Sequence, residues 1–163
     1  MQIRQATPDD KEDILKFVRD LAVYERKPLT QVGMTLAKIE KHGFGDNPYF
    51  QTLLVEQNGN AVAFALYFYA YSGWAGGPVL YVEDLFVAAA SRHQGVANAL
   101  VTELAKLAIV KECCRMEWCV YDWNEQAIAF YKSLGAVPKA DLIQYRLSGD
   151  ALSKIAEREY KKL

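Results

Sequence analysis

Ile14, Leu15, Val18, Leu21 and Ala22 recur at three- and four-residue steps, the spacing of one buried helix face. Ahead of them Thr7-Pro8-Asp9-Asp10 reads as a helix start, with a hydroxyl cap, a first-turn proline and acids at the positive end of the dipole. The helix is expected to end near residues 24–25, because a residue preceding a proline, here Pro28, is pushed out of helical geometry. Residues 3–5 read as a short strand, and a weaker helix covers residues 35–41 and stops at Gly43. From Phe50 the period changes. Residues 50–57 and 61–71 are predicted strands joined at Asn58-Gly59, a hairpin signal. A loop with Trp74 at its middle follows, and then residues 80–87, rich in β-branched and aromatic side chains and free of Pro and Gly, read as a strand buried on both faces. Further on come a helix over 95–111 with Val96, Leu100, Leu104 and Leu107 on one stripe, a strand over 115–121, and a helix over 124–134 closed by Gly135. A strand over 143–147 and a closing helix capped by Ser148 complete the pattern.

This order predicts an α/β fold whose mixed central sheet is antiparallel in its first half and gains a βαβ unit after it. The 163 residues, with 52% hydrophobic content, suit one domain, 1–163, and no repeat or linker divides them. A net charge of −1 lacks the basic stripe of a nucleic-acid binder. With no 18-residue apolar run and no apolar leader core after Met1, neither membrane insertion nor secretion is expected. Cys113, Cys114 and Cys119 are an odd set within one short stretch, which predicts free thiols and a cytoplasmic protein. His42 and His93 lie far from them in sequence, so no metal site is expected.

Two segments carry candidate chemistry. The first is the acid pair Glu83-Asp84 inside the apolar strand, where burial costs about 1–3 kcal/mol per polar group. It runs into Ser91-Arg92-His93-Gln94-Gly95-Val96-Ala97 at a helix mouth, where unpaired backbone N–H groups and the helix dipole favour an anion. The loop lacks the Gly-Lys-Ser/Thr ending of a P-loop, and one glycine is too few for a dinucleotide fingerprint. Alone, it equally fits an ordinary strand-to-helix connection. The second segment opens at Asn124, a helix cap, and places Tyr131 seven residues on, nearly the same face about 10 Å further along. Phe130 and Tyr131 also suit simple packing on a sheet.

Taken together, Arg92-x-x-Gly95-x-Ala97, Asn124 and Phe130-Tyr131 before Gly135 resemble the GNAT superfamily of acetyl-CoA-dependent N-acetyltransferases. Gly43-Phe44-Gly45-Asp46-Asn47-Pro48, Tyr71-Ser72-x-Trp74, Tyr81-Val82-Glu83-Asp84-Leu85-Phe86-Val87 and Asp122-Trp123-Asn124 narrow the resemblance to diamine acetyltransferases, the spermidine/spermine and thialysine types. The resemblance implies a single GNAT domain with helices on both faces of the sheet, direct acetyl transfer in a ternary complex, and a homodimer. It assigns Glu83 as base, through water, and Tyr131 as general acid. Leu85, Phe86 and Val87 would pair with the pantetheine arm of acetyl-CoA, Arg92 and the loop from His93 through Gln94, Gly95, Val96 and Ala97 to Asn98 would hold its pyrophosphate, and Asn124 and Ala127 would flank the arm.

Glu25, Glu83 and Asp84 form an acidic set for an ammonium, with Tyr24, Trp74 and Tyr145 as cation–π walls. Neighbouring strand residues point to opposite faces, so both acids reach one cleft only if the strand is bulged. Ser72 and Leu142-Ile143 stand where polyamine-acting members carry acids. That favours a short diamine, thialysine or a lysine-like amino acid over long polyamines. The competing expectations are an acetyltransferase acting on a protein or peptide, and a CoA-binding module without turnover.

Overall fold

A computed structural model describes residues 1–139 and 141–158. The chain packs as two compact units, Met1–Cys119 and the remainder from Val120. The first holds a five-stranded sheet, β1 (Gln2–Gln5), β2 (Gln51–Gln57), β3 (Asn60–Ser72), β4 (Gly77–Val87) and β5 (Arg115–Trp118), paired in that order. The first four strands are antiparallel and β5 runs parallel to β4. Connecting them are α1 (Lys11–Tyr24), α2 (Leu36–Gly43) and α3 (Val96–Val110). The mixed sheet matches the expectation from the hydrophobic pattern.

Each face of the sheet meets its own helix. Leu54, Phe64, Leu66 and Phe86 line one face, where Phe64 stacks on Phe17 of α1 at 5.4 Å between ring centres. Leu53, Val55, Ala63, Ala65, Leu80, Val82 and Val87 line the other, against Val96, Leu100, Leu104 and Ala108 of α3. Ile14 and Leu15 seat Ile39 of α2 on the back of α1. At the start of α1 the Asp10 carboxylate accepts from the Thr7 backbone and hydroxyl at 2.7 and 3.0 Å. Asp10 also takes two 2.7 Å bonds from Arg4, which holds its carboxyl down to about 2. Asn58 and Gly59 carry positive φ of 52° and 77°, so the predicted Asn-Gly turn forms.

Two expected strands differ. Residues 115–121 were expected to pair throughout, yet the β4–β5 ladder ends at Val82 and Trp118, where β4 becomes irregular. Residues 143–147 are not a strand; Ile143 and Tyr145 are 79% and 89% exposed, and an apolar run of this kind becomes a strand only when an edge accepts its backbone. In the second unit α4 (Glu125–Ser133) is capped by Asn124, whose side chain accepts from the Ala127 N–H at 3.3 Å. The closing helix α5 (Asp150–Ala156) starts from Gly149 rather than Ser148, and the carbonyl of Gly149 receives its first backbone bonds.

Candidate active site

The site begins with one extra residue in β4. Tyr67 faces Val82 while Leu66 faces Asp84, so Glu83 has no opposite number on β3. A bulge of this kind shifts the in/out alternation by one. Before it, Tyr81 pairs with Phe68 on the α1 face of the sheet; after it, Asp84 pairs with Leu66 and Phe86 with Phe64, which also lie on that face. Glu83 keeps the alternation of Tyr81 and Asp84 adopts that of Phe86. Both acids therefore share the α1 side, the condition that the sequence left open. The bulge also corrects the expectation of a strand buried on both faces, because Glu83 is exposed while Asp84 is half-buried.

Asp84 is the electrically unusual member. Burial, then the charges of Glu83 and Glu25, push its carboxyl up to about 7, with Lys27 opposing. Glu25 and Lys27 come from the turn that closes α1, where the Glu25 carboxylate lies 3.7 Å from the Lys27 ammonium. Tyr24, the last residue of α1, meets Phe86 edge-on at 6.5 Å. Arg92 fastens this corner: its guanidinium carbon sits 4.9 Å from the Tyr24 ring centre and 5.5 Å from that of Phe86, and its Nε donates to the Val87 carbonyl at 3.0 Å. Sequence reasoning treated Arg92 as a phosphate ligand and missed this clamp. It also singled out Glu25 and passed over Lys27, although a Glu-x-Lys pair before a proline was there to be read.

Beyond Val82 the side of β4 facing β5 has no strand partner among the described residues, while the β3 side stays paired through Val87. Leu85, Phe86 and Val87 thus stand along a one-sided backbone edge, able to pair with an extended ligand segment. This edge leads into the loop. His93 and Gly95 hold positive φ of 60° and 80°, and among the described residues no side chain caps the start of α3. A Cβ on Gly95 would meet nothing within 4 Å, so the glycine is demanded by its backbone angle, and the space beside it is open. His93, Gln94 and Asn98 are exposed, Ala97 is half-buried, and Val96 anchors the helix in the core. An open helix N-terminus beside a strand edge fits a ligand with a phosphate group and a long amide-bearing arm.

In the second unit, Tyr131 lies half-buried on α4 next to Phe130, with 5.3 Å between ring centres, and burial raises its phenol above the usual range. Asn124 and Ala127 sit together at the start of that helix. Trp74 is not brought to the acids. It is fully exposed on the β3–β4 turn, and Asp84 lies seven residues up β4 from Gly77, about 23 Å at strand rise. Tyr145 stands exposed on its unpaired segment. At the end of the β4–β5 ladder the Tyr81 hydroxyl and Cys119 thiol lie 3.2 Å apart, a contact that raises the phenol's pKa. Among the described residues no three His, Cys, Asp or Glu gather as a metal site, and no helix is long and apolar enough to cross a membrane.

Comparison with known proteins gives this arrangement a context. Residues 15–136 match the family model described as acetyltransferase (GNAT) family. A mouse thialysine N-epsilon-acetyltransferase is 33% identical over 168 residues, covering 96% of this chain and 98% of its own. A human spermidine/spermine N(1)-acetyltransferase-like protein is 36% identical over 143 residues, 83% of this chain but 20% of that protein. An Arabidopsis thaliana L-ornithine N5-acetyltransferase is 29% identical over 94% of this chain and 87% of its own. Among solved structures, an integron cassette protein of V. cholerae superposes with a TM-score of 0.80 at 23% identity, covering 96% of this chain and 98% of that one, which shows a shared fold.

Proposed function

Because the chain belongs to the acetyltransferase (GNAT) family, we propose that it transfers the acetyl group of acetyl-CoA to the primary amine of a small cationic substrate, directly and in a ternary complex. A short diamine, thialysine or a lysine-like amino acid is the preferred class. One observation carries the reading: the bulge that turns both acids to one face stands where β4 loses its β5 partner, and that open edge leads to the uncapped start of α3. Relatives named for thialysine and L-ornithine support the substrate class.

Acetyl-CoA supplies an activated thioester carbonyl. The residues do the rest. The edge at Leu85, Phe86 and Val87 would seat the pantetheine arm, and the loop from Arg92 to Asn98 its pyrophosphate, with Asn124 and Ala127 flanking the arm. An alkyl ammonium has a pKa near 10.4, so attack requires loss of a proton. Glu83, exposed to water, would take it through a solvent molecule. Asp84 would hold the cationic end. Because its carboxyl titrates at about 7, an arriving ammonium draws it into the charged form. A backbone N–H near Phe86 or Val87 would meet the developing oxyanion, and the Tyr131 phenol, kept protonated by burial, would reprotonate the leaving thiolate. Tyr24 and Glu25 remain the substrate wall; Trp74 and Tyr145 would join it only through rearrangement or a second copy.

We read the protein further as one acetyltransferase domain, a homodimer and cytoplasmic. The exposed apolar run Leu142, Ile143, Tyr145 and Leu147 supports a partner copy, and three free thiols support a reducing compartment. Light scattering tests the dimer. Release of free thiol from acetyl-CoA, followed against spermidine, short diamines, thialysine, lysine and a peptide, tests the activity. Turnover with the peptide alone would replace the small-amine reading by a protein acetyltransferase, and CoA binding without turnover would leave a regulatory module.

A further inference from the structure

Where the β4–β5 ladder ends, the two strands form a fork. The last rung joins Val82 to Trp118, and the next residues along the two strands are Glu83 and Cys119. Met116 and Trp118 pack against the core beneath α3, so by strand alternation Glu117 and then Cys119 turn to the opposite side, the one that Tyr81 and both acids share. One side-chain contact crosses the fork on that side. The Tyr81 hydroxyl, whose own rung partner is Glu117, reaches two residues further to lie 3.2 Å from Cys119 Sγ. Phe68 of β3 backs the Tyr81 ring, with 5.1 Å between ring centres and 30° between planes. Val82 and Trp118 fill the same point from the α3 side. Cys119 is exposed and Tyr81 half-buried, so the pair forms a bar on the surface of the sheet, level with Glu83.

With the pyrophosphate at the loop beyond Val87 and the arm along Val87, Phe86 and Leu85, the acyl end of the co-substrate points along β4 toward Glu83 and the closing fork. Glu83 lies two residues from Leu85, about 7 Å at strand rise. Resting on the reading of the chain as an acetyl-CoA-dependent acetyltransferase, we infer that Tyr81 and Cys119 are specificity-determining residues: the hydroxyl–thiol bar, with Val82 and Trp118 behind it, ends the acyl subsite and limits the transferred group to a short chain. The bar acts by excluding volume and leaves the chemistry unchanged. The C–S bond of the thioester breaks as the C–N bond forms, and of the two protons that the ammonium gives up, one goes to solvent and one to the departing thiolate. A longer chain must either part Tyr81 from Cys119 or turn out into the space of the amine. In a closed pocket one added methylene changes kcat/KM by about 10- to 200-fold.

Co-substrates that differ only in acyl length test this. Acetyl-, propionyl- and butyryl-CoA are compared on the amine that acetyl-CoA acylates fastest, as kcat/KM for the wild type, Cys119→Ala, Cys119→Leu and Tyr81→Phe. The wild type is expected to lose about tenfold or more between acetyl and butyryl. Cys119→Ala removes one half of the bar and should raise the butyryl-to-acetyl ratio about tenfold. Tyr81→Phe keeps the ring against Phe68 and loses only the hydroxyl, so it should raise the ratio less, while Cys119→Leu should lower the propionyl-to-acetyl ratio. A wild type that uses butyryl-CoA as well as acetyl-CoA, or variants that slow all three equally or leave the ratios unchanged, would overturn the inference and leave the acetyltransferase reading intact. Calorimetric titration with CoA, acetyl-CoA and butyryl-CoA supplies a readout independent of turnover. Butyryl-CoA binding that tightens relative to acetyl-CoA in Cys119→Ala, without thiol release on any amine, would sustain the bar and remove the transferase reading; no binding, or an unchanged ratio without turnover, would remove both.

Discussion

Asp84→Asn should stabilise the protein while impairing it, and the gain should depend on pH. The native carboxyl titrates at about 7 instead of 3.8 because it is half-buried and faces Glu83 and Glu25. Native Asp84 therefore retains a proton that the unfolded chain has already lost between these two values, so stability falls as pH rises from about 4 to about 7 and stays at its lowest above that. The shift of roughly three pH units, at 1.36 kcal/mol each, sets a ceiling near 4 kcal/mol. Asp84 is only half-buried, and solvent screening reduces the expected effect to about 1–2 kcal/mol. The amide cannot ionise and escapes this penalty. Urea unfolding at pH 8 should show the variant more stable than wild type by that amount, and at pH 4 the advantage should vanish or reverse. A gain of equal size at both pH values, or a wild-type stability that does not fall from pH 4 to 7, would refute the assignment of a strained acid at Asp84. The same variant should lose affinity for the amine, measured as a raised KM.

Glu83→Gln and Tyr131→Phe should each lower turnover by about 10²-fold or more, with acetyl-CoA affinity by calorimetry nearly intact; unchanged rates in both would withdraw their roles. Gly95→Ala has room for its methyl group but not for its backbone angle, so thermal unfolding should report a loss of about 1–2 kcal/mol together with weaker CoA binding. Arg4→Met removes the hydrogen bonds that hold Asp10 at about 2 and leaves a buried carboxylate without its cation, for a loss of about 2 kcal/mol at neutral pH. In the wild type this contribution is present above about pH 4 and disappears as pH falls towards 2, so the variant's acid unfolding should begin at higher pH, as read by circular dichroism.

Much of the frame was legible because local and tertiary demands agree there. The stripe on α1, the Asn58-Gly59 turn and the Asn124 cap are fixed by neighbours within a few residues, and each formed as expected. The acid pair and its loop were legible because charge inside an apolar strand is rare. What escaped was long-range. No glycine or proline marks the bulge at Glu83; it is visible only as a change of face between Val82 and Phe86, which requires knowing what packs on each side. The clamp at Arg92 joins residues 68 positions apart in sequence, Tyr24 and Arg92, and no spacing rule links them. Residues 143–147 have strand composition, but composition does not supply an edge to pair with.

Arg92 has one consequence of a thermodynamic kind. A single guanidinium touches the last ring of α1, beside Glu25, and donates through Nε to the carbonyl of Val87, from which the loop proposed to hold the pyrophosphate departs. Any ligand that orders the loop then changes the free energy of the α1 corner, and by linkage a molecule that orders the corner changes affinity at the loop by the same factor. The two halves of a bisubstrate site would cooperate through one cation–π contact, with no hinge or moving domain required.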